Sequence, residues 1–414
     1  RKEIFDFGHH FQAMNASASQ TLRHVFAPLS SNSPRPPPSK KSWSARIQKK
    51  SPREALAAAL CGANAHFGFR GFGFGGAASE PPELPPGLED YTLERPLGKG
   101  MFGAVWLGRH LRNGPVAVKV CAIDEEEETS AADVAHEAEM LARLFSGADV
   151  PARRLLPRLF AYQADALRAA LVLQYFEGVE LREHASAAGG VLSEVEARRL
   201  TALLLEALAH AHRKGVAHGD VKPDNVLVTV PDAASLMLVD FGSASAFDPE
   251  AAPRVAERGG TPNFMAPERH LAGGGGAQHF DGRASDVWSA GCVLYSLLRG
   301  RAPYDWEAAE AQAEAEGGWS RGWPEASGHA AALLLRRVRE NDPFSCGEAV
   351  EKEDEEEDEP PPVSGSTERL VRLATRFEPS ERPTAARLRE ELLGGAVPDV
   401  PESAFARLAL GAPS

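Results

Sequence analysis

Apolar positions follow two different spacings in the middle of the chain. Residues 93–120 combine apolar runs of strand-forming residues with a glycine-rich turn, which predicts a set of β-strands. Residues 131–145 instead repeat apolar side chains at helical spacing, which predicts a helix. The positions that carry this spacing are Val134, Ala138, Leu141 and Leu144.

The later segments are predominantly helical in pattern. Residues 170–176 and 236–241 are short apolar runs, each predicted as a strand. Residues 192–214 predict a long helix, opened by Ser193 with Glu196 three positions on, which is the spacing of a capping box. The last third of the chain is also helical in pattern. Strands early and helices late predict an α+β fold with a sheet-rich lobe and a helical lobe.

The first 87 residues differ in composition from the rest. A proline-rich stretch at 33–39 and a glycine- and phenylalanine-rich stretch at 68–76 have neither helix nor strand periodicity, so we predict disorder there. Residues 14–53 contain eight Lys/Arg, nine Ser and no acidic side chain. That composition is typical of a plastid or mitochondrial transit peptide, and a basic tail without a targeting function is the alternative.

Charge is distributed unevenly along the chain. The formal net charge is −13, although residues 1–87 carry 11 basic and 5 acidic side chains. We expect no nucleic-acid partner, because the basic excess is confined to this leader and the remainder is acidic. The four cysteines stand far apart in the sequence, which does not indicate a disulfide framework or a structural zinc site. No apolar run of about 18 residues predicts a membrane span.

A strongly acidic stretch interrupts the helical part. Residues 348–359 hold nine acidic side chains and one Lys, and three prolines follow. Because so many charges cannot be buried, we predict a solvated loop insertion at about 342–366. A basic partner for Glu348–Glu359 is the alternative interpretation. The acidic run at 124–128 and the glycine run at 273–276 are predicted as surface segments as well.

Candidate chemistry begins with a glycine-rich loop. Gly98, Gly100 and Gly103 have the spacing G-x-G-x-x-G, which dinucleotide-binding folds also use between a strand and a helix. Here predicted strands flank the loop on both sides, so it is a turn between two strands. Glycines allow backbone amides to approach phosphate oxygens without a clash at Cβ.

A lysine lies in the apolar strand that follows this loop. Lys119, within Val-Ala-Val-Lys, requires a partner because an unpaired buried charge is costly. Nucleotide phosphates and a carboxylate on the next helix are the two partners that the sequence offers. Glu137 and Glu139 both lie on that helix, and we favour Glu137 for its spacing to Leu141.

Three further motifs follow in order along the chain. They are His218-Gly219-Asp220-Val221-Lys222-Pro223-Asp224-Asn225, Asp240-Phe241-Gly242 and Ala266-Pro267-Glu268. With the glycine loop and the lysine strand, these motifs resemble the protein kinase superfamily over residues 91–393. Lys222, together with Gly260-Thr261 ahead of the third motif, resembles the Ser/Thr branch of that superfamily.

This resemblance implies a fold and a domain organisation. A two-lobed kinase-like domain would span residues 88–395, after the leader at 1–87 and before a tail at 396–414. Its small lobe, an antiparallel sheet with one helix, would cover 88–173. The mainly helical large lobe would cover 177–395. ATP would bind between the lobes, and its γ-phosphoryl group would be transferred to a protein substrate.

The resemblance also implies site residues, with ATP and Mg²⁺ as cofactors. The implied catalytic residues are Asp220, Lys222, Lys119 and Glu137, and the implied metal ligands are Asn225 and Asp240. The implied nucleotide-binding residues are Leu97, Gly98, Gly100, Gly103, Val105, Ala117, Lys119, Leu173, Gln174, Phe176 and Leu227. Glu268 would pair with Arg382, and Asp286 would anchor the catalytic-loop backbone. For Glu180 three alternatives stay open: contact with a basic residue of the substrate, contact with the nucleotide ribose, or exposure to solvent only.

The sequence departs from the family at one informative place. Gly219 stands where many relatives have an arginine that contacts an activating phosphate. From Asp240 to Glu268 the only hydroxyl residues are Ser243, Ser245 and Thr261, and none lies where such a phosphate is usually found. We therefore predict activity without activation-loop phosphorylation.

Two other functions remain as alternatives. His-Gly-Asp also occurs in small-molecule kinases that resemble aminoglycoside or choline phosphotransferases, although these usually lack the Ala-Pro-Glu segment and its paired arginine. A pseudokinase scaffold is the other alternative. It would be expected to lack Lys119, Asp220, Asn225 or Asp240, and all four are present.

Overall fold

The computed structural model describes ten segments of the chain. They are residues 80–100, 103–123, 131–146, 154–250, 254–256, 259–272, 279–315, 332–339, 342–344 and 362–394. Most of the leader and the acidic stretch at 348–359 lie outside the described residues, as do the runs at 124–128 and 273–276. The interpretations made of those segments therefore stay predictions.

Five strands form the sheet of the small lobe. They are β1 Tyr91–Gly100, β2 Gly103–His110, β3 Gly114–Ala122, β4 Leu159–Ala164 and β5 Arg168–Gln174. Their order across the sheet is β1-β2-β3-β5-β4, and every neighbouring pair is antiparallel. Helix α1, Ala131–Leu144, lies between β3 and β4 along the chain, where the helical spacing predicted it.

The two faces of this sheet have different partners. On one face Val118 packs with Trp106 and with Leu88 from the segment that precedes β1. Because successive strand side chains alternate between faces, Lys119 points to the other face. Helix α1 packs on that other face. The alternation therefore places the lysine between the sheet and the helix that carries Glu137.

Helices dominate the large lobe. They are α2 Leu181–Ala187, α3 Glu194–Arg213, α4 Pro267–Ala272, α5 Gly282–Arg299, α6 Trp306–Ala315, α7 Gly365–Ala374 and α8 Ala385–Leu393, and residues 332–339 are also helical. The short strands are β6 Val179–Glu180, β7 Val216–Ala217, β8 Val226–Val228, β9 Leu236–Leu238, β10 Ser245–Ala246, β11 Arg254–Val255 and β12 Phe280–Asp281. Single 3-10 turns lie at Pro223–Asn225, Pro262–Phe264 and Pro379–Glu381. The predicted α+β architecture, with a sheet-rich lobe and a helical lobe, is confirmed.

Local signals explain where the two longest helices begin. The Ser193 hydroxyl accepts a hydrogen bond from the Glu196 amide at 3.3 Å, which is one half of the predicted capping box. The Glu196 carboxylate instead meets His184 Nε2 at 2.9 Å. Asp281 caps α5 by accepting from the amides of Arg283 and Ala284.

The predicted strand at 236–241 is shorter in the structure. Strand β9 ends at Leu238, and Asp240 has φ +63°, a left-handed conformation that takes the chain out of the sheet. Among the described residues, no helix has the length and apolar character that a bilayer crossing demands.

Candidate active site

A buried ion pair joins β3 to α1. Lys119 Nζ lies 2.7 Å from Glu137 Oε2, and their side chains are 9% and 4% exposed. Burial by itself would lower the pKa of Lys119, but the carboxylates of Asp240 and Glu137 outweigh it and raise the pKa above its ordinary value. Glu139, the competing candidate, pairs with Arg143 on the exposed side of the helix. The structure thus decides between the two glutamates in favour of Glu137.

Asp240 connects this pair to the large lobe. Its Oδ1 lies 3.3 Å from Lys119 Nζ, and the side chain is still 45% exposed. Desolvation would raise the pKa of this carboxyl, but the Lys119 ammonium outweighs the effect and lowers it. Asp240 is therefore an ionised carboxylate that remains accessible to a cation.

The catalytic-loop candidate Asp220 has two unequal carboxylate oxygens. Its Oδ2 accepts a hydrogen bond from Asn225 Nδ2 at 3.0 Å and lies 2.8 Å from Lys222 Nζ. Its Oδ1 is buried and has no hydrogen-bond partner among the described residues. An unpartnered buried acceptor is costly, so this oxygen is suited to a ligand donor.

Asp286 on α5 holds the backbone of this loop, as predicted. Its carboxylate accepts from the amides of His218 and Gly219 at 2.8 and 3.0 Å, and from His212 Nε2 at 2.8 Å. His218 Nδ1 accepts from the Asp220 amide at 3.2 Å. The proton of this imidazole therefore sits on Nε2, which donates to the carbonyl of Val239 at 3.0 Å. One histidine thus ties the catalytic loop to the residue before Asp240.

Two contacts fix the segment that ends in Ala-Pro-Glu. Lys222 Nζ donates to Thr261 Oγ1 at 2.7 Å, so Thr261 is linked to Asp220 through the lysine. Glu268 and Arg382 form the predicted pair through two hydrogen bonds of 2.7 Å each. This bidentate arrangement, with the arginine side chain fully buried, is structural.

Three of the residues predicted as adenine walls share one face of the small-lobe sheet. Pairing of Ala117 with Leu173 and of Val105 with Lys119 places these side chains on the inner face of the sheet. Val105, Ala117 and Leu173 are half-buried, whereas the alternate residues on β3 are buried in the outer core. Leu227 is half-buried as well, between two buried valines of β8. Side chains that keep an open surface in this way fit a ligand wall better than a closed core.

The remaining nucleotide-site candidates lie around these walls. Leu97 is buried near the end of β1, and Gln174 and Phe176 are half-buried where the chain passes between the lobes. Gly98 pairs with Val105, and Gly100 with Gly103, so the glycine loop is a turn between two strands as predicted. The tip at 101–102 lies outside the described residues. A Cβ on Gly103 would stand 2.3 Å from the Val120 carbonyl oxygen, which requires glycine.

Glu180 occupies an environment that the sequence did not predict. It is 5% exposed, and Arg182 Nη2 donates to its Oε2 at 3.2 Å. Arg182 Nε also donates to Asp224 at 2.6 Å, beside the catalytic loop. Burial, followed by the nearby charges of Asp224 and Glu183, raises the pKa of Glu180 to about 7. The solvent-facing interpretation of Glu180 is therefore wrong.

Sequence reasoning also missed Arg269. This residue follows Glu268 directly, and the structure buries it against the catalytic loop. No spacing rule shows which of the adjacent Arg269 and His270 turns inward. The only available signal is indirect, because Gly219 removes the arginine that many relatives have beside the catalytic aspartate.

Only two residues, Asn225 and Asp240, were predicted as metal ligands. Among the described residues, no three His, Cys, Asp or Glu side chains come together as a metal cluster. Mg²⁺ characteristically takes one or two protein oxygens and completes its shell with phosphates and water. The amide oxygen of Asn225 and the accessible carboxylate of Asp240 fit that requirement.

Comparison with known proteins identifies the family. The family model described as "Protein kinase domain" matches residues 91–392. The chain belongs to the protein kinase family. The kinase is 34% identical over 217 residues to CBL-interacting protein kinase 21 of Oryza sativa subsp. japonica, which covers 52% of this chain and 39% of that protein.

Other relatives have a similar degree of identity. The kinase is 33% identical over 215 residues to CBL-interacting serine/threonine-protein kinase 24 of Arabidopsis thaliana, covering 52% of this chain and 45% of that one. It is 35% identical over 220 residues to serine/threonine-protein kinase pkn2 of Myxococcus xanthus, covering 52% and 25%. The chain thus spans less than half the length of each of these relatives.

Proposed function

We propose that this chain is an ATP- and Mg²⁺-dependent kinase that phosphorylates serine or threonine hydroxyls of proteins. The observation that carries the proposal is the geometry of Asp220. Asn225 and Lys222 hold its Oδ2, while the buried Oδ1 lacks a hydrogen-bond partner among the described residues. An acceptor arranged in this way suits the hydroxyl of a substrate. Two of the relatives described above are named as serine/threonine-protein kinases, which supports the same reaction.

The residues of the cleft divide the work of phosphoryl transfer. Asp220 Oδ1 accepts the substrate hydroxyl proton as the oxygen bonds to the γ-phosphorus of ATP, and the bond to the bridging oxygen of ADP breaks. Lys222 Nζ lies 2.8 Å from Asp220 Oδ2 and offers positive charge to the group in transfer. Lys119, oriented by Glu137, offers its ammonium to the nucleotide phosphates. Asn225 and Asp240 would hold Mg²⁺, which neutralises phosphate charge when bound.

Activity without activation-loop phosphorylation is part of this proposal. Its support is that Gly219 has no side chain to receive a phosphate, while the contacts of Lys119 and Lys222 are already formed. Treatment of the purified protein with a phosphatase should leave its activity unchanged. If activity were lost, and only phosphorylation within residues 243–261 restored it, this part would be wrong.

The decisive assay compares proteins with small molecules as acceptors of the phosphoryl group. Purified full chain is incubated with γ-labelled ATP and Mg²⁺, together with generic protein substrates or with small amines and amino sugars. We expect label on protein Ser and Thr only. Asp220→Ala should lower the rate by about 10²–10⁴ without weakening nucleotide binding. Asp232→Ala, a change at an exposed aspartate of the same lobe, is the control.

Each other outcome contradicts a named part of the proposal. Label on small amines or sugars would identify a small-molecule kinase. Nucleotide binding without any transfer would identify a pseudokinase. An undiminished rate in Asp220→Ala would exclude the catalytic role given to that residue.

We also propose delivery to a plastid or mitochondrion, on the composition of the leader alone. Residues 14–53 are basic, rich in serine and free of acidic side chains. A fluorescent protein fused after residue 65 should enter one of these organelles. A diffuse cytoplasmic signal would favour the basic tail instead.

A further inference from the structure

Arg269 projects from α4 back toward the catalytic loop. Its side chain is enclosed, with the residue only 4% exposed. The aromatic ring of Phe280 in β12 lies 5.4 Å from the guanidinium carbon and supports one side of the group. A buried guanidinium must be fully hydrogen-bonded to be tolerated, so its partners show what it does.

The guanidinium bridges two backbone carbonyls from different segments. Nη1 donates to the carbonyl oxygen of Gly219 at 2.5 Å, and Nη2 donates to that of Gly259. Gly219 immediately precedes Asp220, and Gly259 lies two residues before Thr261. Arg269 thus links the catalytic loop to the segment that reaches Lys222 through Thr261.

Glycine backbones make this close approach possible. Gly219, Gly259 and Gly260 have φ of +80°, +97° and +143°, which side-chain-bearing residues rarely adopt. A Cβ on Gly260 would stand 2.9 Å from Arg269 Nη2 and 3.0 Å from the Gly219 carbonyl oxygen. The two backbones therefore approach each other closely beside the guanidinium.

The cavity that the described residues form beside this contact is too small for a phosphate. The cavity lined by Gly219, Ser243 and Arg269 has a volume of about 10 Å³. That volume is close to the smallest that holds one water molecule. The charge of Arg269 is also turned to backbone oxygens and to an aromatic ring, and no phosphorylated residue takes part in these contacts.

We propose that Arg269 is a positioning residue that holds the catalytic loop against the activation segment without phosphorylation. The inference rests on the proposed kinase function, since it concerns how that site is kept assembled. Arg269 touches no reacting group. It acts through the Gly219 carbonyl on Asp220, and through Gly259 and Thr261 on Lys222.

This arrangement predicts different effects on two measurable quantities, the affinity for nucleotide and the rate of phosphoryl transfer. Lys119, Glu137 and Asp240 bind one another without Arg269, so loss of the arginine should leave nucleotide affinity intact. Asp220 and Lys222 depend on the two carbonyls, so the rate of transfer should fall. A displacement of about 1 Å in a catalytic group costs on the order of 100-fold in rate.

The test uses the full chain, treated with phosphatase and confirmed by mass spectrometry to be unphosphorylated. Arg269→Met, Arg269→Lys and Arg283→Met are compared with the unsubstituted protein for kcat, peptide KM, Kd for Mg-ATP and Tm. Arg283 is the matched control, because it also lies over an aromatic ring, that of Phe247, but is partly exposed at the start of α5.

We expect Arg269→Met to lower kcat about 100-fold with Kd for Mg-ATP within twofold. Arg269→Lys should recover part of that loss, because an ammonium can donate to one or both carbonyls. Arg283→Met should leave kcat within twofold. An unchanged kcat in Arg269→Met would overturn the proposal. So would a parallel loss of kcat, nucleotide affinity and Tm, because that would show a purely structural role.

The same data separate this inference from the proposed function. If the unsubstituted protein transferred no phosphate to proteins, the proposed function would fail by itself. The role of Arg269 would then be measured on the ATPase rate of the same variants. An ATPase rate unaffected by Arg269→Met would overturn the inference in that case too.

Discussion

At the scale of single residues, two glutamates of α1 form ion pairs in very different surroundings. Lys119–Glu137 is almost completely buried, whereas Arg143–Glu139 has side chains 45% and 43% exposed. Lys119→Met leaves the Glu137 carboxylate buried without its partner, which should cost about 3–5 kcal/mol of unfolding free energy. Urea unfolding measures this cost. Arg143→Met is the control and should cost no more than about 0.5 kcal/mol.

A double substitution separates the structural role of the buried pair from its role in catalysis. Lys119→Met with Glu137→Leu replaces both charges by apolar groups, which is often close to neutral for stability. We expect the stability to return toward that of the unsubstituted protein while phosphoryl transfer stays absent. Equal costs for Lys119→Met and Arg143→Met would contradict the importance assigned to burial.

Glu180 gives the stability a specific pH dependence. Its pKa is raised from 4.5 to about 7, chiefly by burial. Between these values the folded state holds a proton that the unfolded chain has released, so the contribution of Glu180 to stability declines as the pH rises. Glu180→Gln removes this titration. The variant should therefore gain stability relative to the unsubstituted protein from pH 5 to pH 8, by on the order of 3 kcal/mol.

Unfolding curves at several pH values test this expectation. Glu177→Gln, at an exposed position of the same segment, is the matched control. Parallel pH profiles for Glu180→Gln and the unsubstituted protein would contradict the raised pKa of this carboxyl.

At the scale of elements, the contact between the catalytic loop and the activation segment depends on Gly219. Its φ is +80°, and a Cβ there would lie 2.4 Å from the Ser243 carbonyl oxygen. Gly189 has a comparable φ of +99° with nothing within 4 Å of an added Cβ. Gly189→Ala should therefore cost about 1–2 kcal/mol from backbone strain alone. Gly219→Ala should cost clearly more and should also lower kcat.

Thermal unfolding and kinetics of the two alanine variants distinguish backbone strain, which both share, from the steric clash with Ser243, which only Gly219→Ala has. Gly219→Arg, which places an arginine where many relatives have one, should be at least as damaging as Gly219→Ala. An active and stable Gly219→Arg protein would show that the loop can move away from Ser243, contrary to this prediction.

The elements that sequence predicted correctly are those whose signals are local. Helix α1 was predicted from its apolar spacing, and the start of α3 from its capping residue Ser193. The catalytic loop was recognised from the order of the five motifs along the chain. The end of β9 was not predicted, because the apolar run continues to Phe241 and does not show the left-handed φ of Asp240. The inward turn of Arg269 and the burial of Glu180 were missed because their partners, Gly219 and Asp224, lie far away in the chain.

At the scale of the whole molecule, the site is assembled from both lobes. The small lobe supplies Lys119 and Glu137, and the large lobe supplies Asp220, Asn225 and Asp240. The 3.3 Å contact between Lys119 and Asp240 is a direct link between the two sets. The position of the sheet relative to the helices therefore matters for activity, and so does whatever stabilises the outer face of that sheet.

The segment before β1 stabilises that outer face. Leu88 is 2% exposed and packs with Trp106, while Leu84 covers the same core. A protein lacking residues 1–88 should therefore have a Tm several degrees lower than one lacking only residues 1–79. Leu88→Ala isolates the packing contribution and should cost about 2–5 kcal/mol. Glu83→Ala, which removes only an exposed contact to Arg168, is the control. Equal Tm values for the two shortened proteins would show that the sheet does not depend on this segment.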